Sequence, residues 1–227
     1  MPQDKAITDT NHDKVVGLSD AAWALLAKFQ IDQIDFDAVA ELAGVERGLA
    51  AALAGSVQRL ILIKITELDR QSVLETYDDI QDAGEVSVRE KIIEGLLHLF
   101  EVYAPYRSQI NQLSQSVRSN PLLALRLLDG LEAVVRRILV ISGDSARGLK
   151  GMARVKGVAG VFLATGRVWM KDESNDLAAT MKMLDQRMLQ AEEWGISLRV
   201  FDLGRSRDWR DDSVSDDNGH DNLAAGR

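Results

Sequence analysis

The stretch at residues 36–54, FDAVAELAGVERGLAAALA, decides the fold of the N-terminal part of this 227-residue chain. Apolar residues recur at helical spacing on both sides of Gly44, which predicts two short helices at 36–43 and 46–54. Gly44 supplies the turn between them and Val45 fills it. Two short helices joined in this way outline a helix-turn-helix, a motif whose second helix normally enters the major groove of DNA.

The second predicted helix offers little that could contact DNA. Its outward residues are mainly Ala and Leu, and only Arg47 could make a bidentate contact with guanine. Residues 1–66 carry six basic and nine acidic side chains, although phosphate contacts supply most non-specific affinity. We therefore expect a helix-turn-helix kept as scaffold. The alternative is operator binding, with Glu46, Arg47 and Arg59 as the contacts.

The composition is that of a soluble, helical, globular protein, with 46% hydrophobic and 27% charged residues and only three prolines. There is no cysteine, so a disulfide framework and thiolate chemistry are excluded. The first residues are polar and acidic, unlike a signal peptide. The most apolar run, 157–170, is interrupted by Arg167 and falls short of the ~20 apolar residues of a membrane span. We expect a cytoplasmic protein.

The periodicity predicts an all-α protein of about nine helices and no strand. Residues 1–16 read as a disordered tail, and 17–56 as a three-helix bundle whose first helix is capped by Ser19 or Asp20. Residues 57–195 read as a larger helical domain, entered through a long linking helix, and 196–227 as a mostly disordered tail. Helix starts are predicted by a capping box at Ser87 and by the pair Asn120-Pro121.

Two sets of residues are candidates for binding. One set could line a ligand cavity between helices or form plain core: Leu97, Phe100, Leu127, Leu131, Val135, Val161, Phe162, Thr165 and Trp169. The other could form a two-fold helical interface or pack within the chain: Gly157, Gly160, Ala164, Met181, Leu184 and Met188.

Catalytic signals are absent from the sequence. His12 and His220 lie near the ends of the chain, and His98 stands alone between leucines. No acidic pair or histidine cluster has metal-ligand spacing, and no glycine-rich loop follows a strand. We expect no enzyme, cofactor or metal. The segment after residue 195 mixes apolar residues with arginines, so a peripheral membrane contact and a solvated tail both stay open.

The C-terminal half carries a series of spaced motifs: Gly143-Asp144-Ser145, Arg154-Val-Lys156, Val161-Phe-Leu-Ala-Thr165, Trp169-Met-Lys-Asp172-Glu-Ser174 and Thr180-Met-Lys-Met-Leu-Asp185-Gln-Arg187. In order and spacing they resemble the ubiquinone-biosynthesis accessory family called Coq-nine. The helical plan and the stretch at 37–45, DAVAELAGV, resemble the tetracycline-repressor (TetR-like) fold, which that family shares.

This resemblance implies two functions. TetR-like repressors are dimers that release their operator when a small apolar molecule enters the C-terminal bundle. Coq-nine proteins bind isoprenoid lipid, contact membranes and assist a hydroxylase without catalysing a reaction themselves. For this chain we expect the second function, a lipid-binding accessory protein of ubiquinone biosynthesis acting as a homodimer. The alternative is a ligand-responsive, DNA-binding transcriptional repressor.

Overall fold

The computed structural model describes residues 2–82, 84–144, 146–174 and 176–197, and within these ranges it contains helices and no strand. The all-α prediction is therefore confirmed. Two short 3₁₀ helices are present, at Ile31–Gln33 and Ala104–Tyr106. The α-helices are, in chain order, α1 (Pro2–Leu26), α2 (Phe36–Leu42), α3 (Arg47–Leu53), α4 (Val57–Asp82), α5 (Val88–Tyr103), α6 (Arg107–Ser119), α7 (Pro121–Ile141), α8 (Gly148–Trp169) and α9 (Ala178–Ser197).

Helix α1 corrects the prediction of a disordered tail at residues 1–16, because it begins at Pro2 and continues for 25 residues. Ser19 does not cap it. Its hydroxyl donates to the backbone carbonyl of Val16 at 2.8 Å, as a serine inside a helix does. This helix buries Leu18 and Leu26. It extends toward the N-terminus because no proline follows Pro2 in this segment to interrupt it.

Helices α1, α2 and α3 pack together around Val39, Ala40 and Ala50, all of them buried. Asp35 caps α2 by accepting a hydrogen bond from the backbone N–H of Asp37 at 3.1 Å. Gly44 has a φ of +65°, which a residue without Cβ adopts freely, and it reverses the chain into α3. The two predicted short helices and the turn at Gly44 are thus present, with helix bounds within one residue of those expected.

Helix α4 is the long helix that joins the two parts of the protein. Its first turns bury Val57, Leu60 and Ile61, while its later turns bury Leu68 and other residues against α5 and α7. Lys64 links it to α1 through an ion pair with Asp20 at 2.8 Å. The same helix therefore belongs to the core of both parts.

The C-terminal part is built from α5 to α9. The capping box between Ser87 and Glu90 starts α5, and Asn120 caps α7 with Pro121 in its first turn, as predicted. Helix α7 is less central than its composition indicates, because Leu122 and Leu125 are 58% and 64% exposed. No single helix in the described ranges is long and apolar enough to cross a membrane, although α3 and α4, bent by 59°, reach that length and apolarity as a pair.

Candidate functional site

A cavity of about 660 Å³ lies between α4, α5, α6, α7 and α8. This volume falls within the ~300–1,000 Å³ typical of ligand pockets. Most of its wall is apolar. The lining residues are Ile65, Asp69, Phe100, Tyr103, Ile110, Leu113, Ser114, Val117, Arg118, Ala124, Leu127, Leu128, Leu131, Phe162, Leu163, Gly166, Arg167, Trp169 and Met170.

The structure divides the predicted pocket residues into two groups. Five of the nine line the cavity: Phe100, Leu127, Leu131, Phe162 and Trp169.

The other four predicted residues are buried but do not line the cavity. They are Leu97, Val135, Val161 and Thr165. Their helices are oriented so that these four side chains point into the packed core. They are therefore not part of the cavity wall, contrary to the expectation that they contact a ligand. Thr165, for example, turns its hydroxyl to the backbone carbonyl of Val161 at 2.9 Å.

Aromatic rings form the inner end of the cavity. Phe100 and Phe162 stack with their centroids 4.3 Å apart, and Trp169 lies tilted against Phe100 at 5.5 Å. Arg107 supports Trp169 from α6, with its guanidinium 4.9 Å from the centre of the ring and a 2.7 Å hydrogen bond to the Trp169 carbonyl. This wall is rigid, flat and apolar, which suits a ring or an unsaturated chain.

One carboxyl group interrupts the apolar inner end. Asp69, on α4, is 5% exposed and accepts a hydrogen bond from the Tyr103 hydroxyl at 2.9 Å. Burial raises the pKa of Asp69 to about 6, against the lowering effects of the Tyr103 hydrogen bond and the charge of Arg137. Burial, and secondly the charge of Asp69, raise the pKa of Tyr103 well above its usual range, so the phenol stays protonated.

The outer rim of the cavity is cationic. Arg118 on α6 and Arg167 on α8 are exposed there, beside exposed Ser114, Leu128 and Leu163. The cavity therefore runs from a buried aromatic end with one acid to a solvated rim with two cations. Sequence reasoning found the three rings of the aromatic end but missed Asp69 and the contribution of α6 to the cavity wall.

The helix-turn-helix surface presents little to DNA in this conformation. Glu46 caps α3 and accepts hydrogen bonds from the N–H groups of Gly48 and Leu49, which hold its pKa below the ordinary value. Arg47 points back to α2, where its Nε lies 2.8 Å from Asp37 Oδ1. Arg59 is exposed on α4.

The predicted dimer residues separate into exposed and buried sets. Gly160 and Ala164 on α8 and Met181 on α9 are exposed, and Gly157 is half-buried. These four remain candidates for an interface.

Leu184 and Met188 are 0% and 2% exposed within one protomer, which corrects their assignment to an interface. Met188 lies beside Ile92 and Leu139 around a small internal void, so it holds α9 to its own chain. Helix α9 packs on α8 and α5, and Leu184 and Met188 of its apolar stripe are buried by that packing.

His98 is not isolated, contrary to the prediction from its leucine neighbours. Its Nε2 lies 2.8 Å from Asp79 Oδ2 and 3.7 Å from Glu94 Oε1, and its Nδ1 lies 3.2 Å from Glu101 Oε2. Asp79 comes from α4 and the other residues from α5. This partly exposed group can tie the two helices by ion pairs when the imidazole is protonated.

Several polar residues of the motifs that carry the family resemblance hold loops in place. Asp144, in the loop between α7 and α8, pairs with Arg154 of α8 in a largely buried ion pair. Asp172 accepts hydrogen bonds from the backbone N–H of Thr180 at 2.8 Å and from its hydroxyl at 2.7 Å, and also from Ser174. These contacts hold the loops at the two ends of α8.

Burial would raise the pKa of Asp172, but the hydrogen bonds from Ser174 and Thr180 outweigh it and lower the pKa to about 2. Asp172 is therefore an ionised anchor for the start of α9. Asn175 and the tail beyond Ser197, for which a peripheral membrane contact was one of two interpretations, lie outside the described residues.

Comparison of the chain with protein-family models gives no matching family. Comparison with curated proteins also gives no match. Any inference about function therefore rests on the cavity, on the charges around it and on the resemblance of the sequence motifs.

Proposed function

We propose that this chain is a non-enzymatic binding protein of TetR-like fold that holds an isoprenoid or similar long apolar molecule. The observation that carries the proposal is the cavity of about 660 Å³, whose inner wall combines Phe100, Phe162 and Trp169. An apolar molecule gains from leaving water for such a wall. The Coq-nine-like motifs in α8 and α9 support the narrower proposal of an accessory role in ubiquinone biosynthesis.

The proposed assembly is a cytoplasmic homodimer. Its support is the exposed small and apolar face of α8, where Gly160, Leu163 and Ala164 are open to solvent, beside exposed Met181 on α9. Small residues allow the helices of two protomers to approach closely, and a two-fold axis would bring the same face together from both chains.

Operator binding is the weaker proposal. Arg47, the one arginine of α3, is directed to Asp37, and Glu46 places a carboxylate at the start of the same helix. A carboxylate at this position repels phosphate, and a protein of net charge −8 offers few phosphate contacts.

The test is extraction of the purified full-length protein with organic solvent, followed by mass spectrometry of the extract. We expect an isoprenoid or comparable lipid at close to one molecule per protomer. Gly166 lines the cavity, and a Cβ added there meets nothing within 4 Å. The phenyl ring of Gly166→Phe is therefore expected to occupy the cavity and exclude the lipid. Gly130→Phe on α7, equally unobstructed but off the cavity wall, is the matched control and should retain the lipid.

An empty wild-type cavity, together with tight and salt-sensitive binding of a specific DNA fragment, would overturn the proposal in favour of a repressor. Lipid retained equally by the Gly166→Phe protein would show that lipid is held elsewhere, for example on the surface, and would also contradict it.

A further inference from the structure

The buried carboxyl group of Asp69 lies in a cavity wall that is mostly apolar. Ile65, Phe100 and Leu113 line the same cavity. Among the described residues its one hydrogen-bond donor is Tyr103, which bonds to Oδ1. The second oxygen, Oδ2, has no donor there and can accept a hydrogen bond from a molecule in the cavity.

The charges around the cavity restrict the charge of the functional group that the bound molecule can place beside Asp69. An anion is repelled by Asp69 itself. A cation is disfavoured because Arg118 and Arg167 stand at the rim, Arg107 covers Trp169, and Arg137 contributes positive charge near Asp69. A neutral hydrogen-bond donor satisfies the carboxylate without bringing a charge into an apolar wall.

We infer that the cavity recognises an amphiphile whose inner end is a neutral hydroxyl, an alcohol or phenol, donating to Asp69 while its apolar chain extends between α6, α7 and α8 toward the rim. This inference rests on the proposed function and specifies the chemistry of the ligand. The aromatic wall of Phe100, Phe162 and Trp169 lies beside the acid, so a phenol stacks on the rings while its hydroxyl meets the carboxylate.

The experiment is a competition assay on the delipidated full-length protein with a matched pair of probes, para-nonylphenol and para-nonylanisole. The two share the ring, the chain and the oxygen, but only the phenol can donate a hydrogen bond. Since a hydrogen bond to a charged group contributes ~1.5–3 kcal/mol, we expect the phenol to bind roughly 10- to 100-fold more tightly.

Three variants assign the preference to the carboxylate. Asp69→Leu should bring the affinity ratio of the two probes close to one, while both still bind. Asp69→Asn keeps a weaker, neutral acceptor and should give an intermediate ratio. Asp78→Asn changes an exposed carboxylate on the same helix and should leave the wild-type ratio unchanged. Thermal unfolding of each variant verifies that it is folded.

The outcomes separate the inference from the proposed function. Equal binding of both probes to wild type, or a preference that persists in Asp69→Leu, overturns the hydroxyl inference and leaves an apolar-ligand protein. Tighter binding of para-nonylbenzylamine than of the phenol also overturns it, because the site would then select a cation. Failure of every probe, nonylbenzene included, to enter the cavity overturns both.

Discussion

Replacing Asp69 by Asn is expected to stabilise the protein at neutral pH, and to do so less and less as the solution becomes acidic. The two side chains have nearly the same shape, and the Asn carbonyl can still accept the hydrogen bond from Tyr103. What the substitution removes is the cost of holding a carboxylate in an apolar wall.

The magnitude follows from the pKa of Asp69, which burial raises from 3.8 to about 6. Because the folded-state pKa is the higher one, the protonated form is favoured by folding. The free energy of unfolding that comes from this preference is fully present below about pH 4. It is lost as the pH rises through about 6. At 1.36 kcal/mol per pKa unit, the loss at neutral pH is ~3 kcal/mol. Asn cannot ionise, so the variant avoids this loss.

The assay is urea unfolding of delipidated wild-type and Asp69→Asn proteins, followed by far-ultraviolet circular dichroism between about pH 4 and about pH 8. Lipid must be removed first, because a ligand that binds only the folded state raises the apparent stability. We expect the variant to be more stable by ~3 kcal/mol at about pH 8 and equal to wild type near pH 4. For a protein of this size that is a rise in melting temperature of roughly 6–12 °C.

Asp78→Asn, on the exposed side of the same helix, is the control and should change stability by less than ~0.5 kcal/mol at every pH. The reasoning is refuted if Asp69→Asn is no more stable than wild type at about pH 8. It is refuted equally if the advantage does not shrink between pH 8 and pH 4, since the cause would then not be ionisation.

The other predictions concern two helical glycines and the loop between α8 and α9. Gly151→Ala should destabilise by ~1–3 kcal/mol in thermal unfolding, because the new Cβ would lie 2.2 Å from the carbonyl carbon of Ala146. Gly130→Ala, in α7 and with nothing within 4 Å of its Cβ, should instead stabilise by up to ~1 kcal/mol; a loss of stability there would contradict the open surroundings. Asp172→Ala should cost ~2 kcal/mol by leaving the N–H and hydroxyl of Thr180 unpaired. Because the pKa of Asp172 is about 2, this difference in stability should be constant above about pH 4 and vanish as the pH falls through about 2. A difference that already shrinks near neutral pH would contradict the prediction.

Local signals in the sequence predicted the helices well where a glycine, proline or capping residue marks their ends. The turn at Gly44, the capping box at Ser87 and the cap at Asn120 are each fixed by neighbours within four residues. The prediction for the start of α1 was wrong because no such signal marks it. Its N-terminal half contains charged residues but nothing that stops a helix, so an absence of apolar periodicity was mistaken for disorder.

The cavity was only partly predictable. Phe100 and Trp169 were identified because large apolar residues stand out on a helix. Asp69 was not, because an acidic residue in a long helix normally faces water, and its partner Tyr103 is 34 residues away. The place of α6 in the cavity wall was missed since Gln, Ser and Arg dominate its composition, although its single apolar stripe faces the cavity. Burial of this kind depends on tertiary packing, which no local pattern encodes.

The buried pair of Asp144 with Arg154 and the bonds of Asp172 to Thr180 separate the frame of the protein from its cavity. These four residues hold the loops at the two ends of α8 and line no part of the cavity, so they fix its shape without contacting a ligand. A protein that keeps these four residues can still differ at Asp69, Leu127 or Leu131 and so hold another molecule. Likeness in the four residues therefore indicates a shared frame, whereas ligand preference depends on the lining residues of α4 to α8.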